Sequence, residues 1–224
     1  GAIVKSNTKK FINAKILKIS KELPLSGHMV EHSTKAIYEI IRNKKCILFV
    51  NTRAQAELLY QNLWKLNFSN LKIALHHGSL EKKLRKNVEE KMSNSEIDCI
   101  VATSSLEMGL NWSNIELVMQ IGAPKGVTRL IQRIGRSNHT LQGKSRAILV
   151  PTNRFEFIEC YAVLEALKRR DFDISTERPG SIDVLAQHIM SVACSTKFDI
   201  HTLYKSIIKV WPYRNFDKKT FLKI

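Results

Sequence analysis

The sequence predicts an α/β protein: a parallel sheet with helices on both faces, followed by a short all-helical piece. Three observations carry this. Apolar runs such as C-I-L-F-V at 46–50 and the stretch 98–103 read as buried strands. Between them lie amphipathic stretches whose apolar residues recur three and four apart, the period of a helix that covers a core. Strands alternating with helices at this spacing argue for a parallel sheet covered on both sides. Near residues 175–180 (S-T-E-R-P-G) the composition turns to linker, and only helical patterns follow.

Taken in order, residues 15–20 (K-I-L-K-I-S) alternate basic and apolar and read as a short edge strand. A loop at 23–27 leads to a helix over 33–41 and the buried strand 46–50. Thr52 followed by Gln55 has the spacing of a capping box, so a helix begins there. It runs to about residue 66 and buries Ala56, Leu59, Leu63 and Leu66. Amides at such a helix start can hold a phosphate, and the Thr52 hydroxyl can serve cap and ligand together. A strand over 71–75 follows, and Ser79 is placed to cap a helix running to about residue 92. Leu80, Leu84, Val88 and Met92 form its inner stripe; Lys82, Lys83, Arg85, Lys86 and Lys91 face solvent. Strands at 98–103, 117–122 and 145–150 and a long helix over 153–170 complete the pattern. Beyond the linker, helices are expected over 182–193, 200–210 and from 216. The domain division is 1–174 and 175–224.

At 224 residues, one domain plus a fragment of another is expected. A hydrophobic content of 44% allows a real core. The net charge of +16 is the electrostatic footprint of a nucleic-acid binder. A Lys-, Ile- and Asn-rich composition also arises from AT-rich genomes, so charge supports that reading only beside the motifs. The four cysteines, Cys46, Cys99, Cys160 and Cys194, form no C-x-x-C pair, which argues against a zinc site of the usual spacing. Cys46 and Cys99 sit in apolar runs as buried thiols, which suits a reducing cytosol. No apolar stretch is long enough to span a membrane, and no signal-peptide pattern is present. The chain starts Gly-Ala without Met and reads as a piece of a longer protein.

The stretch 127–139, V-T-R-L-I-Q-R-I-G-R-S-N-H, carries the functional signal. Wound as a helix, it puts Val127, Leu130, Ile131 and Ile134 on one face and Arg129, Gln132, Arg133 and Arg136 on the other. Each like-charge pair costs roughly 0.2–0.5 kcal/mol on an isolated helix. A face of guanidinium groups with no carboxylate among them makes sense against an anion, and Arg offers a planar fork matched to phosphate. The alternative is a solvated basic face.

Q-R-I-G-R-S-N-H (132–139) resembles the last conserved motif of superfamily 2 helicases, Q-R-x-G-R-x-x-R. A-T-S-S-L-E-M-G-L-N (102–111) resembles the preceding motif, and L-F-V-N-T-R (48–53) the strand-to-helix turn that opens the second motor lobe. H-H-G-S-L (76–80) resembles the backbone-contacting loop. The resemblance covers about residues 15–170 and implies a RecA-like lobe. The helices from 182 onward resemble the opening of the winged-helix domain that follows some of these motors, truncated here before any wing strand.

In that family two RecA-like lobes clamp ATP with Mg²⁺, and the first lobe brings the phosphate loop and acidic motif. Neither is in this chain. Gly143-Lys144-Ser145 has Asn138 where the phosphate loop needs glycine and leads into a strand, and no Asp-Glu pair occurs. The fragment alone is therefore expected to be inactive, with ATP and Mg²⁺ bound mainly by the missing lobe. The resemblance implies Arg136 as the arginine finger, with Arg133 and Gln132 supporting it. Gly109, Asn111, Glu107 and His139 fall on the nucleotide side, and Glu107 and Gly109 are placed to couple the two sites. Thr52, Arg53, His77, Gly78, Ser79, Thr103, Ser104, Lys125 and Arg129 are the implied nucleic-acid contacts. The chain departs from the pattern at His139, where the family has its final arginine, and at Gly109-Leu110-Asn111, where it has G-I-D.

T-S-S-L-E-M-G, the stretch 120–139 and I-D-V-L-A-Q-H-I look like the large helicase-related (Lhr) group. L-V-P-T-N-R-F-E-F-I-E-C (149–160) and W-P-Y-R-N (211–215) are similar to its DNA-ligase-associated branch. This implies a 3′-to-5′ DNA motor in repair, acting on single-stranded or forked DNA, and the thiols place it in the cytoplasm. Its implied partners are the first lobe of the same chain, a DNA ligase and a nuclease. Two other readings stay open: an RNA remodeller of the same fold, and a nucleic-acid-binding module without ATPase.

Overall fold

The computed structural model describes residues 12–18, 22–27, 30–107, 115–137, 145–173 and 179–224. The chain forms two compact units, Gly1–Asp173 and Ile174–Ile224. The first is built on six parallel strands: β1 (Ile12–Ile16), β2 (Cys46–Phe49), β3 (Ile73–His76), β4 (Cys99–Ala102), β5 (Leu117–Ile121) and β6 (Ser145–Val150). Their order across the sheet is β1-β6-β5-β2-β4-β3.

Continuous apolar runs suit central strands because successive side chains point to opposite faces, and here both faces are covered. Cys46 and Leu48 of β2 join one core cluster, and Ile47 and Phe49 join another. Helices α1 (Glu31–Ile41) and α2 (Arg53–Lys65) cover the first cluster with Ile37, Ile41, Leu59 and Leu63. Met92, near the end of α3 (Lys82–Ser93), packs on the second. Helices α4 (Val127–Ile134) and α5 (Arg154–Arg169) bring Leu130, Ile134 and Cys160 onto β6. Each such Leu or Ile contributes on the order of 1.5–3 kcal/mol by leaving water.

Three local expectations change. The first strand lies at 12–16 instead of 15–20, pairing Ile12 with Ser145 and Ile16 with Leu149. Both stretches alternate; the pairing to β6 selects the one that puts Ile12, Ala14 and Ile16 against the core. Ser79 does not cap α3, whose N-cap is Glu81 without a side-chain bond. The inner stripe of α3 is largely open: Met92 is buried, whereas Leu84 is 51% exposed.

Helix α4 ends at Ile134, short of the expected 139. Its end is tied down by Ser137, whose hydroxyl donates to the Ile134 carbonyl (2.8 Å) and accepts from the Arg146 amide (3.2 Å). Its start has no local side-chain cap. Asp173, 45 residues away, accepts from the Thr128 amide at 2.8 Å and the Val127 amide at 3.2 Å. Gly126 is required beneath it: φ is +112°, and a Cβ would stand 2.7 Å from Asp173 Oδ2.

The second unit holds α6 (Ile182–Ser195), α7 (Ile200–Ile207) and α8 (Lys218–Phe221). Leu185, Leu203, Ile207 and Phe221 form its small core. Asp199 and Asp217 cap α7 and α8 through the Thr202 and Thr220 amides, both at 2.8 Å. A 3-10 turn at Trp211–Tyr213 precedes α8, and Gly180 is needed because a Cβ there would collide with the Tyr213 ring.

Candidate nucleotide and nucleic-acid interface

Parallel strands all present their carboxyl ends at one edge of the sheet, so the turns that follow them gather there. Strand order reverses between β2, which leads toward β4 and β3, and β5, which leads toward β6. The crevice outside the strand ends at such a reversal is the usual ligand position in open α/β sheets. Thr52 and Arg53 follow β2, Gly78 and Ser79 follow β3, Thr103 and Ser104 follow β4, and Lys125 follows β5. Topology thus places eight of the nine expected nucleic-acid residues, His77 after β3 included, along one edge.

The capping box is formed as expected. Thr52 Oγ1 accepts from the Gln55 amide, and Gln55 Oε1 accepts from the Thr52 amide, each at 3.2 Å. Arg53 Nη1 donates to the Ser79 hydroxyl and so joins the turns after β2 and β3. Thr52, Arg53, Gly78, Ser79, Ser104 and Lys125 are exposed, and Thr103 is half-buried.

His77 departs from its expected role. Its imidazole is buried, 3.4 Å from Glu57 Oε1 on α2, and does not face outward for a phosphate. The neighbouring His76, not anticipated, is also buried. Its ring nitrogens lie 2.8 Å from Ser105 Oγ and 3.0 Å from Glu89 Oε1, tying β3 to the turn after β4 and to α3. Burial pushes the His76 pKa down, against the Glu89 hydrogen bond and charge, which push it up.

The uncompensated arginine face is not what folds. Arg133 is only 2% exposed and takes a core position beside Val127, Leu130 and Ile134. Its Nε and Nη2 donate to Glu107 Oε1 at 2.8 and 2.5 Å, and its Nη1 donates to Gln120 Oε1. The guanidinium lies over the Phe49 ring, 5.1 Å from its centroid. Arg129 Nε stands 3.7 Å from the other Glu107 oxygen. A carboxylate from the turn after β4 thus relieves the like-charge crowding that the helix alone would suffer. Burial pulls the Arg133 pKa down, and the Glu107 hydrogen bond and charge oppose it. Arg133 therefore supports α4 from below and is not displayed to a ligand.

Helix α4 carries the chain from the carboxyl end of β5 back to the amino end of β6. Gln132 is exposed on it, and Arg136, half-buried, sits one turn past Arg133 beside the Ser137 anchor. The expected finger Arg136 follows by three residues Arg133, whose guanidinium reaches Glu107 in the turn after β4. Gly109, Asn111 and His139 lie outside the described residues.

Gln120 and Asp173 were missed beside His76. Gln120 had a signal, a lone amide inside the buried run L-V-M-Q-I. Asp173 had none, because its partner is distant in sequence. Burial raises the Cys46 and Cys160 thiols to about 12 and Cys99 well above its ordinary value, which keeps them neutral core groups. No helix among the described residues is long and apolar enough to cross a membrane.

Residues 29–140 match the family described as the helicase conserved C-terminal domain. Residues 165–224 match the large helicase-related protein winged helix domain. The ATP-dependent helicase Lhr-Core of Methanocaldococcus jannaschii is 34% identical over 87% of this chain, which spans 23% of that relative's length. The Lhr helicase/uracil glycosylase of Escherichia coli is 27% identical over 84% of this chain and 14% of its own. Among solved structures, Mycobacterium smegmatis helicase Lhr bound to ssDNA and AMP-PNP superposes with a TM-score of 0.85 at 25% identity. That match covers 95% of this chain and 29% of the other. The C-terminal domain of the DEAD-box protein Dbp5, at 16% identity and a TM-score of 0.55, shares the fold.

Proposed function

Because the chain belongs to the Lhr-type superfamily 2 helicases, as their C-terminal motor lobe and the start of the winged-helix domain, we propose that it is the half of an ATP-driven DNA motor that grips the strand and completes the nucleotide site. The observation that carries this is the gathering of the turns after β2, β3, β4 and β5 at one edge of the sheet. Thr52, Arg53, Ser79, Ser104 and Lys125 stand at that edge, and α4, which follows from the last of these turns, leads to Arg136.

Thr52, Arg53, Gly78, Ser79, Thr103, Ser104, Lys125 and Arg129 would contact backbone phosphates, which carry no sequence information and suit a motor. Arg136 would reach a nucleotide held by the first lobe and stabilise charge on the transferring phosphoryl group, a contribution of about 10³–10⁵ in rate. Gln132 would assist it. As the family resemblance implies, we assign Mg²⁺ to the first lobe, which brings the phosphate loop and acidic motif. Glu107, joined to Arg133 and Arg129, would report the state of the strand-end edge to α4. DNA repair and partnership with a ligase and a nuclease follow from the 149–160 and 211–215 motifs, and cytoplasmic action from the buried, unpaired thiols.

The test is ATP turnover by the full-length protein, with and without single-stranded DNA or RNA. Wild type is compared with Arg136→Ala. DNA-stimulated turnover that falls about 10³-fold or more in the variant supports the reading. Equal turnover in the variant removes the finger assignment, and stimulation by RNA alone moves the substrate to RNA.

A further inference from the structure

We propose that Gln120 is a positioning residue through which the turn after β2 and helix α4 move as one body. The inference rests on the motor reading above. Gln120 is wholly buried in β5, the strand beside β2 at the reversal of the sheet. Its amide is bonded in opposite directions. Oε1 accepts from Arg133 Nη1 on α4. Nε2 donates to the Ile121 and Gly122 carbonyls, each at 3.1 Å, and toward Asn51 Oδ1 at 3.4 Å. Asn51 in turn donates Nδ2 to the Ala123 carbonyl at 2.8 Å and its own amide to Gln55 Oε1 at 3.2 Å.

A continuous polar chain therefore runs Gln55–Asn51–Gln120–Arg133–Glu107, from the cap of α2 to the turn after β4. A primary amide suits this place because it combines an acceptor with two donors in one plane. Leucine would fill the space and leave Arg133 Nη1 without its acceptor. Glutamate would keep that acceptor and lose both donors. There is no slack beside the chain: a Cβ on Gly122 would stand 3.1 Å from Asn51 Nδ2 and 3.2 Å from Glu156 Oε1. A displacement of the Asn51–Arg53 turn by a bound strand must then pass to Arg133 or break the chain. Arg136 is one turn further along.

The experiment measures three quantities on the full-length protein: ATP turnover without DNA, turnover at saturating single-stranded DNA, and DNA affinity without nucleotide. The variants are Gln120→Glu and Asn51→Ala, which leave Arg133 an acceptor, with Gln120→Leu beside them. The expectation is DNA-free turnover and DNA affinity within about threefold of wild type, with stimulation by DNA lowered about tenfold or more, the size of a typical coupling between sites. Stimulation kept within about threefold in both Gln120→Glu and Asn51→Ala overturns the proposal. So does an equal fall in DNA-free and stimulated turnover, which marks Gln120 as support for the fold alone. If Gln120→Leu does not fold, the other two variants decide. A wild-type protein with no DNA stimulation overturns the motor reading, and this inference with it.

Discussion

The exposed turns at the strand ends and the buried cluster around Arg133 are both polar and both belong to the motor lobe, yet they are held by opposite means. At the edge, Thr52, Arg53, Ser79, Ser104 and Lys125 reach water, and backbone turns and caps set their places. In the cluster, Arg133 and Gln120 are lost to solvent, and Glu107 nearly so. There each group is placed by the others' charges and hydrogen bonds. Edge residues other than the Thr52 cap can change with little response from the fold. Arg133 and Glu107 cannot change alone, because the partner left behind keeps a buried charge.

The sharpest way to break this contrast is Glu107→Ala. It leaves Arg133 buried without its carboxylate, and a loss of about 3–5 kcal/mol in urea-induced unfolding is expected. A loss below about 1 kcal/mol would place the pair with solvated surface bridges and erase the distinction. Thr52→Ala sits on the border of the two regions, since Thr52 is both cap and edge. Its cap role predicts a loss of about 1 kcal/mol, recovered by Thr52→Ser. Equal stability in both variants would mean that the capping box contributes nothing measurable.

Arg53→Gln belongs wholly to the edge. Stability should stay within about 0.5 kcal/mol of wild type. DNA affinity should fall uniformly across sequences, with the slope of log K against log salt reduced by about 1. An unchanged salt slope would show that Arg53 only ties the turn after β3 through Ser79.

The smallest effect is expected at low pH. The Thr128 amide, with the Val127 amide, holds the Asp173 carboxyl below its ordinary value. The Thr202 and Thr220 amides and hydroxyls do the same for Asp199 and Asp217. A depressed carboxyl pKa contributes stability that is whole above the unfolded value and is lost as pH falls through the folded one. The window therefore lies below about pH 4. Asp173→Asn should flatten the acid limb of a stability–pH curve, and an unchanged limb would show that the α4 cap is not a determinant of stability.

The Thr52–Gln55 box was readable because a cap is a contact between residues three apart. Strands β2 and β4 were readable because a strand buried on both faces needs apolar residues at every position. The first strand was misplaced because apolar residues continue past Ile16 at Leu17 and Ile19, and only pairing with β6 places the strand at 12–16. Ser79 had the spacing of a cap, but Arg53, 26 residues away, uses its hydroxyl. His77 stood in a ligand-contacting motif and turned inward to Glu57.

The amino-acid order by itself determined the alternation of strands and helices, the family and the residues that follow each strand. These follow from local periodicity and from motifs whose members are neighbours in sequence. The pairing of Arg133 with Glu107 and Gln120 and the capping of α4 by Asp173 were decided only by the tertiary structure. Each depends on which distant element arrives beside a side chain. An arginine on an isolated helix carries its full charge toward solvent; it becomes a core residue only when a folded neighbour brings the carboxylate.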